Sequence, residues 1–207
     1  MSEQVKFYYV YEERYDWLRD TRNFEKMYHV FRSRIFLKKL FKVAGLSWIL
    51  DAGCGTGLIT IHAPQPVIGL DINLWNLKKL QKRLKDKELI QADVENLPFR
   101  DNCLGLIICT EVLEHLSLPE KAIREFYRIL KDNGVLIGTV PSIHPVWRFR
   151  KYLLTTCPVS EPFHKNYTKK ELKNMLKTFP VRRISYSVLG LNLFFECKKP
   201  GKEERKS

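Results

Sequence analysis

The sequence lacks the features that are typical of chains stabilised by disulfides or by zinc, and of chains that span a membrane. Its five cysteines are an odd number, widely scattered, and form no C-x-x-C pair, so we predict no disulfide framework and no metal site. No apolar run approaches the roughly 20 residues that span a bilayer. The N-terminus has no basic segment followed by an apolar stretch. We therefore expect a cytoplasmic protein with reduced thiols, in which Cys157 is structural.

Acidic residues are scarce relative to basic ones. The chain has 36 Lys and Arg against 23 Asp and Glu, which gives a net charge of +13. From Pro141 to the end there are 15 Lys or Arg, five Glu and no Asp. This excess suits an anionic partner such as RNA, a phosphorylated metabolite or an anionic lipid surface. It equally suits a solvated, charge-rich surface of the kind found in heat-adapted proteins.

Short apolar runs alternate with helical patterns along the chain. Strands are predicted at 48–50, 67–70, 89–92, 104–109 and 135–140, and helices over about 12–43, 74–84 and 118–131 and after Thr168. Two more strand-like runs, 183–189 and 191–197, meet at Gly190. Five β/α alternations and a hairpin predict a doubly wound, mostly parallel seven-stranded sheet with an antiparallel last strand and an N-terminal helical preface.

Local patterns also predict helix boundaries and buried faces. Capping boxes are expected at Ser117 with Glu120 and at Thr168 with Glu171. Gly45 and Asn133-Gly134 are expected to end helices. The buried stripes are predicted from apolar residues at helical spacing, namely Tyr28, Phe31, Ile35, Leu37 and Leu40 in the preface and Leu74, Leu77, Leu80 and Leu84 in the second helix.

Glycines and aspartates follow the first three predicted strands. Gly53, Gly55 and Gly57 allow the backbone to turn tightly and to approach a ligand closely. Asp71 ends the second strand, where its carboxylate can accept both hydroxyls of a ribose, and Asp93 ends the third, where it can accept an adenine amino group. Ligands of open parallel sheets bind beyond these strand ends. The pattern predicts a pocket for an adenosine.

The glycine spacing separates the adenosine cofactors. The sequence has G-x-G-x-G preceded by Asp51, whereas dinucleotide sites have G-x-G-x-x-G, and no Lys-Ser/Thr of a Walker motif follows. At this point the chain resembles the class I S-adenosylmethionine-dependent methyltransferases (methyltransferase type 11 domain), particularly the small-molecule and lipid branch that includes the ubiquinone/menaquinone methyltransferases. The resemblance covers about residues 45–140, in five ordered stretches at 49–57, 67–72, 92–99, 111–116 and 130–136.

The resemblance implies a Rossmann-like methyltransferase fold, S-adenosylmethionine as cofactor, and a single domain. Its expected parts are N-terminal helices (1–45), a cofactor-binding core (46–140), a substrate lid (141–167), a last helix with a terminal hairpin (168–198) and a basic tail (199–207). The implied cofactor contacts are Asp51, Gly53, Cys54, Gly55, Gly57, Asp71, Ile72, Asp93, Val94, Thr110 and Glu111. Tyr28 and Arg32 either reach the cofactor carboxylate or serve helix packing and surface charge.

Two stretches depart from the family pattern. Only nine residues, 58–66, separate Gly57 from the second strand, so the helix after the glycine turn must be one or two turns long, which alters the surroundings of the cofactor's methionine end. Leu104-Gly105 stands where the family commonly has Phe-Asp, which we interpret as a packing change.

The acceptor is predicted less sharply than the cofactor. Candidates for a general base are His144 and His115, with His164 further on, although a capping or packing role suits His115 as well. The aromatic and apolar residues of the lid either choose the substrate or form the core of the lid itself: Trp147, Phe149, Tyr152, Leu153 and Phe163. We expect a small-molecule or lipid-precursor acceptor. The excess of basic residues would suit an acceptor that carries an anionic group. The alternatives are RNA methylation and a cofactor-binding protein without transfer activity. No Asn/Asp-Pro-Pro-aromatic run follows the fourth strand, which disfavours exocyclic amino groups of nucleic-acid bases.

Overall fold

Residues 23–45, 47–84, 88–145 and 165–204 are described by the computed structural model, and they form a seven-stranded sheet with helices on its faces. In chain order the elements are α1 (Asn23–Val43), β1 (Ile49–Ala52), β2 (Val67–Asp71), α2 (Leu74–Gln81), β3 (Glu88–Gln91), β4 (Leu104–Thr110), α3 (Pro119–Ile129), β5 (Leu130–Pro141), α4 (Lys169–Met175), β6 (Val181–Ser187) and β7 (Asn192–Lys198). Two 3₁₀ turns lie at Thr60–His62 and Leu113–His115. No helix in these ranges is long and apolar enough to cross a membrane.

The strand order of the sheet is β3-β2-β1-β4-β5-β7-β6. Strands β1 to β5 pair in parallel, and β7 pairs antiparallel with both β5 and β6. The predicted fold, with its antiparallel last strand and N-terminal helix, is therefore confirmed. The chain order reverses direction between β1 and β4, and a crevice at the carboxyl ends of these two strands is where such sheets bind ligands.

Apolar side chains cover both faces of the sheet. On one face, residues of α3 and α4 such as Phe126 and Leu172 pack against the strands. On the other face, Phe36 and Leu40 of α1 pack against Ile49 and Ile108. The prediction for α1 was thus partly wrong, because Phe31 is 49% exposed while Phe36 is buried. The predicted stripe of α2 holds at Leu77 and Leu80, whereas Leu74, at its first turn, is exposed.

The start of α3 differs from its prediction. The residue at the N-cap is Leu118, and no side chain caps the helix there, so the expected Ser117/Glu120 capping box does not form. Pro119 occupies the first helical position, where its fixed φ and missing N–H are already compatible with a helix start. The helix also ends earlier than expected, since β5 begins at Leu130. In contrast, the Thr168/Glu171 capping box of α4 is confirmed.

Some expectations fall outside the described residues. These are the helix before Asn23, the lid aromatics, His164 and Cys157.

At Gly105, a side chain would lie 2.4 Å from the Cβ of Ser47. The missing side chain at this position therefore makes room for Ser47, which supports the interpretation of Leu104-Gly105 as a packing change.

Lys199 joins the end of β7 to the end of α3. Its side chain is 3% exposed, and its Nζ donates to the side-chain oxygen of Asn102 at 2.8 Å and to the carbonyls of Tyr127 and Leu130, each at 2.7 Å. The last carbonyls of a helix lack partners within the helix. The Lys199 ammonium donates to two carbonyls at this helix end and so links the end of β7 to the end of α3.

We expect Lys199→Met to lower the free energy of unfolding by about 2–4 kcal/mol, because it leaves buried carbonyl oxygens unpaired. Urea denaturation would measure the change. The control is Lys202→Met on the exposed tail, which should change stability by no more than about 0.5 kcal/mol. Equal midpoints for the two variants would contradict this role of Lys199.

Candidate functional site

The glycine turn after β1 has an unusual backbone. Gly53, Gly55 and Gly57 have φ of 78°, 53° and 94°, a backbone region that residues other than glycine rarely adopt. A Cβ on Gly53 would lie 2.2 Å from a methyl of Val112, whereas a Cβ on Gly55 would meet nothing within 4 Å. The turn is therefore tightly packed against Val112 at Gly53 and has open space beside Gly55. The buried hydroxyl of Thr56 has no hydrogen-bond partner among the described residues, which fits a turn that holds a polar ligand.

Asp71 ties the glycine turn to the end of β2. Its Oδ2 accepts the N–H of Gly55 at 2.8 Å, and its Oδ1 accepts the N–H of Asn73 at 2.8 Å. Burial raises the pKa of Asp71, and these two N–H groups oppose the rise. A hydrogen bond from the Asn76 side chain also lowers the pKa of Asp71. A carboxylate has about four lone pairs, so Asp71 keeps room for a further donor such as a ribose hydroxyl.

Two other residues of the predicted cofactor set are engaged within the protein. Asp51 is buried in β1, and its Oδ2 accepts the hydroxyl of Thr60 at 2.6 Å. Cys54 is also buried, and its N–H donates to the carbonyl of Leu70 at 2.9 Å. Burial, reinforced by Asp71 and Asp51, raises the pKa of the Cys54 thiol. Both residues shape the turn from below.

Helix α2 packs against the glycine turn from the side. The connection after Gly57 contains no helix longer than the 3₁₀ turn Thr60–His62, in agreement with the predicted truncation. A Cβ on Gly57 would lie 2.2 Å from the Cδ1 of Leu80, and the Nη1 of Arg83 donates to the carbonyl of Thr56 at 3.0 Å. Leu80 and Arg83 therefore support the glycine turn, because the 3₁₀ turn that follows it is too short to do so.

The ends of β2 and β3 bring the residues that were predicted to bind the adenosine side by side. The N–H of Ala92 donates to the carbonyl of Asp71 at 3.2 Å, which places the loop that carries Asp93 and Val94 next to Asp71. The Oδ1 of Asp93 accepts the N–H of Glu95 at 2.8 Å, and Val94 is buried. The carbonyl of Ile72 accepts the side-chain amide of Gln91 at 3.1 Å.

A network of buried and half-buried polar groups lies beyond the end of β4. Glu111 has φ of 55°, and its Oε2 pairs with the Nη1 of Arg32 at 2.8 Å. Its Oε1 accepts the hydroxyl of Thr139 at 2.9 Å and the side-chain amide of Asn192 at 3.0 Å. The hydroxyl of Tyr28 donates to the Oδ1 of Asn192 at 2.7 Å. The network thus connects α1 to β4, β5 and β7.

Glu114 lies close to this network but outside its hydrogen bonds. It is 1% exposed, and neither carboxylate oxygen has a partner in another described residue. Burial, then the charge of Glu111, raises the pKa of Glu114 to about 8. A perturbed carboxyl at the ligand edge of a sheet is a candidate functional group.

The remaining predicted residues are dispersed around this edge. Thr110, the last residue of β4, pairs with Thr139. His115 ends the 3₁₀ turn that carries Glu114 and is half-buried. His144 is half-buried beside the β6–β7 turn, 3.6 Å from where a Cβ on Gly190 would lie. Tyr28 and Arg32 interact with Asn192 and Glu111, and a contact of this pair with the cofactor carboxylate stays a prediction.

The sequence interpretation missed Asn192, Thr139, Arg83 and Glu114. One signal was present, because Asn192 is a polar residue within the apolar run 191–195, and buried amides are normally paired. In the described ranges, no three His, Cys, Asp or Glu side chains meet in an arrangement that could hold a metal ion.

Comparisons with known proteins identify the core region. Residues 50–138 match the family model described as a methyltransferase domain. An uncharacterised protein of Methanocaldococcus jannaschii is 32% identical over 146 residues, which is 69% of this chain and 56% of that protein. A malonyl-[acyl-carrier protein] O-methyltransferase of Hamiltonella defensa is 29% identical over 111 residues, which is 49% of this chain and 43% of that protein. The chain spans about half the length of the relatives it matches.

Solved structures agree on the fold. Magnesium protoporphyrin IX methyltransferase of Synechocystis, with S-adenosylmethionine bound, has a TM-score of 0.71 and 16% identity, covering 96% of this chain and 98% of that one. Residues 50–138 carry a methyltransferase domain, with S-adenosylmethionine as methyl donor.

We expect Arg83→Met to weaken S-adenosylmethionine binding about three- to tenfold, because the loss of one charge-assisted hydrogen bond to the turn costs on the order of 1 kcal/mol. Isothermal titration calorimetry would measure the dissociation constant. Lys82→Met, at the exposed neighbouring position, is the matched control. The supporting role of α2 would be refuted by identical affinities for the two variants.

We expect Glu114→Gln to be more stable than the wild type, by a margin that grows with pH. The folded-state pKa of Glu114, about 8, exceeds the ordinary value of 4.5, so ionisation costs the native state stability as pH rises from about 4.5 to 8. Each pKa unit corresponds to about 1.4 kcal/mol, so the margin should reach several kcal/mol. The charges that face Glu114 are those of Glu111, His115 and Arg32.

Urea denaturation at pH 5, 7 and 9 would measure this margin. The exposed Glu120→Gln, on α3, provides the control and should follow the wild type at every pH. A stability difference that does not change with pH would show that Glu114 is not the titrating group.

Proposed function

We propose that this chain transfers the methyl group of S-adenosylmethionine to a small-molecule or lipid-precursor acceptor, as a member of the branch that includes the ubiquinone/menaquinone methyltransferases. The observation that carries the proposal is the 2.8 Å hydrogen bond from Gly55 N–H to the Asp71 carboxylate. This bond fixes an open glycine turn beside a buried acid at the reversal point of the sheet, which is the requirement of an adenosine-containing donor.

Each strand end would serve one part of the donor. Gly53, Gly55, Gly57 and the other amides of the turn would line the methionine part, with Asp51 and Cys54 shaping the turn beneath it. Asp71 would hold the ribose, and Ile72, Asp93 and Val94 would frame the adenine. Thr110 and Glu111 would lie near the sulfur. These assignments are supported by the common location of the residues at the carboxyl edge of β1 to β4.

The work of the protein would be mainly alignment. The bound donor supplies a sulfonium methyl group that is already reactive. The residues around it hold the acceptor in line with the methyl carbon and exclude water. The Tyr28–Asn192–Glu111–Arg32 network supports this role, because it anchors α1 over the end of β4.

RNA methylation is a second candidate, favoured by the charge of the last third of the chain. Exposed lysines and arginines cluster on α4 and β6, at Lys169, Lys170, Lys173, Arg182 and Arg183. Binding to RNA would weaken steeply with salt, because each phosphate contact releases counterions.

A labelled-methyl screen would test both candidates. Purified full-length protein and labelled S-adenosylmethionine would be incubated with cell extract separated into RNA, lipid and small-molecule fractions. We expect label in the lipid or small-molecule fraction. Label in RNA, with salt-dependent RNA binding, would establish the second candidate instead. Cofactor binding without methyl transfer to any fraction would indicate a cofactor-binding protein without transfer activity.

We expect Asp71→Ala to weaken S-adenosylmethionine binding about 100-fold, since two hydrogen bonds to a charged acceptor are together worth about 3 kcal/mol. Calorimetric titration would measure the loss, and Glu203→Ala on the exposed tail is the control. A urea transition for Asp71→Ala would establish that the variant is folded. An affinity within threefold of the wild type would refute the ribose-binding role.

A further inference from the structure

The Glu114 carboxyl group is buried beyond the end of β4 without a hydrogen-bond partner in another described residue. It belongs to the 3₁₀ turn Leu113–His115, directly beyond the ligand edge of β4, and is 1% exposed. A buried carboxylate normally has hydrogen-bond partners, because burying it without them is strongly destabilising. A group kept in this state points to a ligand that supplies what the protein does not.

The donors on the α1 side of Glu114 are committed to Glu111. Arg32 pairs with one oxygen of Glu111, and Thr139 and Asn192 donate to the other. Tyr28 donates to Asn192. The network therefore satisfies the first carboxylate completely and offers no hydrogen bond to the second.

The donors on the α4 side are also committed elsewhere. The hydroxyl of Tyr167 donates to the carbonyl of Leu113 at 3.2 Å, and the Nζ of Lys165 lies 3.3 Å from an oxygen of Glu171. The N–H of Lys165 donates to the main-chain carbonyl of Glu114 at 3.2 Å. Next to it in the chain, the side-chain oxygen of Asn166 is a second buried acceptor without a partner. This side of the site has a surplus of acceptors.

We propose that Glu114 receives the N–H or O–H group of the methyl acceptor, so that the acceptor is an amine or a hydroxyl compound and not a carboxylate. The inference rests on the proposed methyl transfer. A donor group completes the hydrogen bonding of the ionised Glu114, whereas an acceptor carboxylate would bring a further negative charge beside Glu111 in a buried, low-dielectric region.

The chemistry balances with Glu114 as the proton acceptor. The lone pair of the acceptor's nitrogen or oxygen forms a bond to the methyl carbon, and the sulfur–carbon bond breaks with its electron pair remaining on sulfur. An ammonium gives up one proton before its lone pair attacks, and a hydroxyl gives up its proton as the new bond forms. In both cases the proton passes to the ionised Glu114 carboxylate and then to solvent. A hydroxyl becomes a methyl ether, and an ammonium becomes a methylammonium, with one proton released in each case.

The test uses full-length protein, [methyl-¹³C]S-adenosylmethionine and the extract fractions described above. Carbon-13 NMR of the labelled product separates O-methyl, N-methyl and C-methyl groups by chemical shift, and mild alkali hydrolyses methyl esters alone. We expect an O-methyl or N-methyl signal that survives alkali. This readout on the wild type does not depend on the folding of any variant.

Glu114→Gln keeps the shape of the side chain and removes its ability to take a proton. We expect it to slow transfer about 100-fold or more, in the range of general-base losses, with S-adenosylmethionine affinity unchanged within twofold. Glu120→Gln is the matched control and should retain the wild-type rate.

Four results would overturn the inference. An alkali-labile or a C-methyl product would show that the acceptor is a carboxylate or a carbon. A wild-type rate in Glu114→Gln would remove the proton-accepting role. Loss of transfer in EDTA with recovery in Mg²⁺ would make a cation the partner of Glu114. Absence of label from every fraction, despite cofactor binding, would refute the proposed function and this inference with it, and so differs from the other three.

Discussion

The hydrogen bond from Gly55 N–H to the Asp71 carboxylate is the contact on which the rest of the site depends. It joins the loop after β1 to the end of β2, and the same carboxylate accepts the N–H of Asn73. Asn73 is in turn the N-cap of α2. Because α2 starts there, Leu80 and Arg83 come to lie against Gly57 and Thr56. One buried acid therefore fixes the position of the glycine turn, of a strand end and of the helix that supports the turn.

The parts of the site that could be predicted from the sequence are encoded by neighbouring residues. A buried strand ending in Asp71, and glycines directly after β1, have few alternative structures, since the glycines need positive φ and the carboxylates need donors. The same applies to the sheet, because alternating strands and helices leave few right-handed ways to connect. The short connection after Gly57 was likewise visible as a spacing, and the structure contains only a 3₁₀ turn there among the described residues.

The remaining features join residues that are far apart in the chain. Tyr28 and Asn192 are separated by 164 positions, so no local pattern pairs them, although Asn192 in an apolar strand shows that some partner is required. The false capping box at Ser117 has a different cause. Its spacing is correct, but Pro119 fixes the helix start one residue later than the pattern requires. A pattern of two residues is thus overruled by the backbone restriction of a third.

The acids of the site differ in how far the protein itself satisfies them. Asp71 receives two main-chain N–H groups, and Glu111 receives Arg32, Thr139 and Asn192. These side chains are held in one geometry before any ligand arrives, which lowers the cost of binding a donor whose shape is always the same. Glu114 receives nothing comparable, and its burial costs stability that a fully paired core would not lose. In the proposed reaction the missing partner of Glu114 arrives with the acceptor, which would place the division between cofactor and acceptor in the turn between Glu111 and Glu114.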